Sequence, residues 1–159
     1  MNPPHHVEYL RSEVRQWWNA THVQVMRLRA TAEREFDYQQ LEIDLHFLLV
    51  ALKRLERCAR KIGDIAPELS DEIEEAADAF ERAIPGLTRM RDSSEHIDEY
   101  AVGLGRRNKQ VEPWTKVQEA GLGISGGVRW LWVDEELVVE DAYAAAAGLR
   151  QEVERITRM

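Results

Sequence analysis

Arg91, Asp92 and His96 are the side chains whose types and spacing suit chemistry best. An arginine guanidinium presents a planar fork of N–H donors that matches phosphate oxygens, and a histidine exchanges protons near neutral pH. Together they allow general acid–base chemistry on a phosphodiester. On a helix Arg91 reaches Glu95 and Asp92 reaches His96, because residues four apart are neighbours on its surface. A carboxylate so placed holds an imidazole in one tautomer and favours its protonated form. The same geometry sets a limit, since positions five apart point roughly 140° away from each other on a helix of 3.6 residues per turn. Arg91 and His96 therefore meet on one small ligand only through long reach, a kink, or a second copy of the helix across a dimer axis.

The stretch carrying these residues, Pro85 to Arg107, has Leu87, Met90, Ile97, Ala101 and Leu104 at alternating steps of three and four, with Ser94 filling one step. That spacing predicts a helix with one buried stripe and the polar set mostly off it. The stretch resembles the R-x4-6-H motif of the HEPN superfamily, in which a polar residue such as Asn, Asp or His follows the arginine, as Asp92 does. Arg15 and His22 also fit the spacing, but Gln16 follows that arginine.

The resemblance implies an all-helical domain and a metal-independent endoribonuclease, of the kind found in toxin–antitoxin and defence systems, needing no cofactor. By the same resemblance His96 is the acid–base group, Arg91 binds the scissile phosphate and Asp92 orients its neighbours. The ribose 2′-OH is the nucleophile, and a homodimer cleft joins two copies of the motif. Arg106, Arg107 and Lys109 make the neighbourhood more basic than the chain average and are candidate substrate-binding residues. RNA and an antitoxin are the implied partners. The alternative is a noncatalytic helical bundle for binding or dimerisation, in which the two i,i+4 pairs are ordinary surface pairs.

Composition sets bounds. A chain of 159 residues suits one domain with a sizeable core. A net charge of −8 argues against sequence-independent binding of long duplex DNA, which needs clustered cations. The single cysteine, Cys58, permits no internal disulfide and reads as a buried spectator, consistent with a reducing, cytoplasmic setting. The N-terminal residues do not read as a secretory signal. The longest apolar run, Phe47 to Leu52, is far short of the ~20 residues that span a bilayer.

The elements that must position the motif follow from periodicity. Met1 to His6 are expected to fray. Val7, Leu10, Val14, Trp17, Thr21, Val25, Leu28 and Ala32 mark a long first helix, on which adjacent Trp17 and Trp18 cannot share one narrow stripe. Leu41, Leu45, Leu48, Leu52, Leu55, Ala59 and Ile62 mark a second, with Gly63 as its C′ residue and Arg54, Arg57, Arg60 and Lys61 on other faces. These two should pair antiparallel. His46 follows Glu42 by four residues, but no second Glu-His pair at ligand spacing accompanies it, so a half-buried histidine is the expectation and no metal site is assigned. Ser70 should cap a third helix bearing Ile73, Ala77, Phe80 and Ile84, and Pro85-Gly86 should break the chain before the motif helix.

Residues 103–127 read as a loop elaboration, with Gly121, Gly123, Gly126 and Gly127 as its punctuation. VRWLWV and LVV, within Val128 to Val139, read as a hairpin, and Asp141 as the cap of a last helix with Ala142, Ala145, Leu149, Val153 and Ile156 inward. The fold expected is mostly α: an antiparallel bundle of four to five helices with a small β-hairpin near the C-terminus, in one domain over 1–159.

Overall fold

The structure, a computed structural model, describes residues 3–33, 38–95, 121–123, 128–132 and 135–158. Among these are five helices, one 3-10 turn and three short strands. Helix α1 (Pro3–Glu33) begins at Pro3 and so includes residues expected to fray. Prolines are tolerated there because the first turn of a helix has no intrahelical use for their missing N–H. Its stripe is as the periodicity required: Val14, Thr21, Val25 and Leu28 are fully buried, and the Thr21 hydroxyl donates to the Trp17 carbonyl at 3.0 Å. Val7, Leu10, Trp17, Trp18 and Ala32 pack against the same core from its edge.

Helix α2 (Tyr38–Ile65) pairs with α1 and is central. All seven residues of its predicted stripe are buried, and Leu49, Ala51, Asp44 and Glu56 are buried as well, because later helices of the chain cover further faces. Gly63 is not the C′ residue expected. The helix runs through it to Ile65, and the glycine is there for space: a Cβ would meet the Ser70 backbone at 3.3 Å. A single 3-10 turn (Pro67–Leu69) then leads into α3 (Ser70–Ala83). Ser70 is the first residue of α3 and not its cap, a place taken by Leu69 without a side-chain bond. Ile73, Ala77 and Phe80 of α3, with Ile84 beyond its end, face the core as predicted.

Pro85-Gly86 does break the chain. Gly86 has φ of +85°, a conformation that L side chains rarely adopt. A Cβ there would also collide with the carboxylate of Glu135, which bonds Arg89 and so ties the break to the sheet. Helix α4 (Leu87–Glu95) follows, with Leu87 and Met90 buried. The remainder of the predicted motif helix, Ile97, Ala101 and Leu104 included, lies outside the described residues.

The hairpin is present as β2 (Arg129–Trp132) and β3 (Glu135–Val138), antiparallel with Trp130 opposite Leu137. That pair turns inward and is buried, while Leu131 and Arg129 face out. Residues Gly121–Gly123, read above as loop punctuation, form a third strand, β1, pairing with β2. Two glycines leave no side-chain alternation to read, so its pairing comes from the neighbouring strand. Helix α5 (Val139–Ile156) starts directly from β3, two residues earlier than the Asp141 cap expected, and buries Ala146 where Ala145 was anticipated. One apolar cluster joins all five helices to the hairpin. No helix among the described residues is long and apolar enough to cross a membrane.

Candidate anion-binding site

Helix α4 is seated on α2 by an apolar and a polar contact. Leu87 and Met90 enter the core, and between them Thr88 accepts a hydrogen bond from Lys53 Nζ at 3.0 Å. The Lys53 ammonium also bonds Glu56, a carboxylate only 4% exposed, whose other oxygen accepts from Arg60 Nε at 3.1 Å. Such a buried charge is tolerable because two cations share it. Arg60 in turn reaches Glu74, Asp78 (2.9 Å) and Glu81 (3.2 Å), stitching α2 to α3. Burial opposes its charge, but the bonds to Asp78 and Glu56 and the field of Glu74 raise its pKa above the ordinary arginine value.

One turn beyond Thr88, Arg91 faces back toward α2. It lines a cleft of about 70 Å³ together with Val50, Lys53, Arg54 and Arg57. Positions 50, 53, 54 and 57 lie on one face of α2 by helical spacing. The Arg91 guanidinium, whose side chain is 32% exposed, bonds Asp92 Oδ1 at 3.1 Å. Arg54 stacks over the Trp17 ring at 5.8 Å, which holds its guanidinium at the α1 side of the cleft. Among the described residues, no carboxylate forms an ion pair with Arg54 or Arg57. Four cations around one small opening favour an anion, and the guanidinium forks suit a tetrahedral oxyanion.

The structure thus brings together Arg91 and Asp92 of the predicted set. His96, Arg106, Arg107 and Lys109 lie outside the described residues, as do the predicted Arg91–Glu95 and Asp92–His96 side-chain contacts. The residues that sequence reasoning missed are Lys53, Arg54 and Arg57. Their three-four spacing was legible, but only the packing of α4 shows that their face meets Arg91.

Other candidates have different settings. His46 is half-buried with its ring edge-on to Trp130, centroids 5.3 Å apart. Burial pushes its pKa below the ordinary histidine value, against the field of Glu42. Cys58 is half-buried, and burial raises its thiol pKa. Among the described residues no three His, Cys, Asp or Glu side chains are grouped to hold a metal ion. The second spacing match is absorbed by the α1–α5 seam: Arg15 bonds Glu154 at 3.3 Å, and His22 Nδ1 shares a hydrogen bond with the Tyr143 hydroxyl at 2.9 Å. Trp18 stacks on the Tyr143 ring at 5.0 Å, so the two adjacent tryptophans serve different contacts. No known protein family, curated protein or solved structure matches the chain.

Proposed function

We propose that this protein is a metal-independent endoribonuclease of the HEPN type, with Arg91 holding the scissile phosphate and His96 transferring protons. The observation that supports this most is the cleft, because the motif arginine opens onto a face of α2 that supplies three further cations. Asp92 fixes the direction of the Arg91 fork through the 3.1 Å bond, so the arginine is held for an incoming phosphate oxygen. In this reading the ribose 2′-OH attacks the adjacent phosphorus to form a 2′,3′-cyclic phosphate, the bond to the 5′-oxygen breaks, and His96 exchanges a proton with these oxygens so that the 2′-OH loses one and the leaving 5′-oxygen gains one. Arg106, Arg107 and Lys109 draw the RNA in, and a second protomer completes the site.

The test uses purified protein and structured RNA in EDTA. Wild type is expected to cleave, and His96→Ala, folded by circular dichroism, to lose about 10²–10⁴-fold in rate, the usual share of acid–base catalysis. Equal activity of the two, or no cleavage by clean wild type, overturns the proposal.

A noncatalytic binding or dimerisation module is the second reading, favoured by apolar side chains left exposed on the α1–α2 pair. Val23 and Met26 of α1 and Ile43 and Phe47 of α2 stand 47–59% exposed. Sedimentation at micromolar concentration separates the cases: a dimer broken by Phe47→Glu in a protein without ribonuclease activity favours the module.

A further inference from the structure

We infer that the outer face of α2 is a docking surface for an acidic amphipathic helix of a partner protein, apolar along one half and bearing carboxylates along the other. The surface is read from α2 itself, so the inference goes beyond the ribonuclease proposal and does not rest on it.

Ile43, Phe47, Val50, Arg54, Arg57 and Lys61 follow one another at steps of four and three. That spacing makes a single seam along α2, on a different face from the leucine stripe that enters the core. At 1.5 Å per residue the seam is about 27 Å long, enough for two helices to lie side by side. It has two halves. Ile43 is 48% and Phe47 59% exposed, with Val50 half-buried beyond them. Arg54 and Arg57 are exposed, and among the described residues no carboxylate pairs with either. Arg54 is held over the Trp17 ring at 5.8 Å, and Lys61 bonds Asp64 at 3.0 Å.

The two halves together specify the occupant. Covering Ile43 and Phe47 takes apolar surface out of water, and a helix is the element whose own stripe matches a seam of this period. A helix laid along the seam also covers Arg54 and Arg57. Two guanidinium groups buried without counter-charges destabilise a complex, so the partner must bring carboxylates to that end, where arginine forks bond them bidentately. A second copy of α2 does not meet this need. Its Asp44 and Glu56 are buried, Asp64 is held by Lys61 and Glu42 lies off the seam, so two such seams set face to face leave the arginines unanswered. Arg54 and Arg57 also line the cleft onto which Arg91 opens, so a docked helix and an RNA phosphate would exclude each other there.

The probe is a displayed library of helical peptides of about 20 residues, randomised along one face and panned on the intact protein at low salt. Selected peptides are expected to carry apolar residues at three positions spaced four and three at one end, and Asp or Glu on the same face at the other. Their affinity, read by fluorescence anisotropy, should fall about tenfold in Phe47→Ala and about tenfold in Arg54→Gln/Arg57→Gln, the second loss shrinking as salt is raised. Circular dichroism checks the fold, and Arg57→Gln alone, which leaves the Trp17 contact in place, serves if the double variant melts early. No selected peptide, selected peptides without Asp or Glu, or affinity unchanged in either variant overturns the inference. So does a self-dimer broken by Phe47→Ala in sedimentation, or binding to phosphatidylserine vesicles lost in Phe47→Ala, because each gives the face another occupant. RNA enters none of these measurements, so the ribonuclease proposal and this one can fail separately.

Discussion

Glu56→Gln is the sharpest perturbation of the architecture that seats α4. The carboxylate is 4% exposed and accepts from Lys53 and, at 3.1 Å, from Arg60. A hydrogen bond to a charged group contributes about 1.5–3 kcal/mol. The amide keeps one carbonyl acceptor but turns an N–H donor toward a cation, so one charge-assisted bond is lost outright and the other weakened. Arg60 retains Glu74, Asp78 and Glu81, which offsets part of that loss. The net expectation is about 2–3 kcal/mol of destabilisation. For a chain of this size that lowers Tm by about 4–12 °C. Urea unfolding followed by circular dichroism measures it, with an unchanged m-value showing that the folded state stays compact.

The effect should fall on one pair more than the other. Lys53→Met introduced into the Glu56→Gln background should cost about 1 kcal/mol less than in wild type, as expected for side chains that share a bond. A loss below about 0.5 kcal/mol for Glu56→Gln, or simple additivity with Lys53→Met, would refute the claim that this buried carboxylate organises the contact.

Two further outcomes follow from the backbone and from titration. Gly86→Ala should destabilise by at least about 1–3 kcal/mol, since φ of +85° is strained for alanine and its Cβ meets Glu135, and Glu135→Ala in that background should relieve only the collision. Unchanged melting of Gly86→Ala would show that the turn relaxes freely. On acidification, Glu140 and Glu154 should contribute to unfolding. The Arg29 hydrogen bond holds the Glu140 carboxyl below the ordinary glutamate value, and Arg150 and Arg15 do the same for Glu154 against the opposing effect of its burial. Their stabilisation is therefore full above the ordinary glutamate range and lost as pH falls through the lowered folded values. Urea midpoints from pH 5 to 3 should fall less steeply in Glu140→Gln/Glu154→Gln than in wild type, and parallel curves would count against this linkage.

How much was legible divides along physical lines. The stripes of α1, α2 and α3 could be read from the chain because burial of one helix face imposes a three-four spacing that needs no partner to be recognised. The hairpin of Trp130 and Leu137 was likewise readable from the cluster of Trp, Leu and Val, although Glu135 and Glu136, whose polarity suggests the turn, belong to β3. Helix ends were less legible. Gly63, Ser70 and Asp141 carry cap chemistry, yet each lies within a helix, because close packing of α2 on α3 and the direct run of β3 into α5 set those ends.

For the site, residue type and order singled out Arg91 and the adjacent Asp92 as candidates, and the structure places Arg91 at the cleft. The three-four spacing of Lys53, Arg54 and Arg57 puts them on one surface of α2, although nothing along the chain singles them out. That this surface faces Arg91 was decided only by tertiary structure, through the Gly86 turn, the burial of Leu87 and Met90 and the Lys53–Thr88 bond. Periodicity is a property of one helix, whereas the net charge of a cleft depends on two helices set against each other, and no pattern along either one records the angle at which they meet.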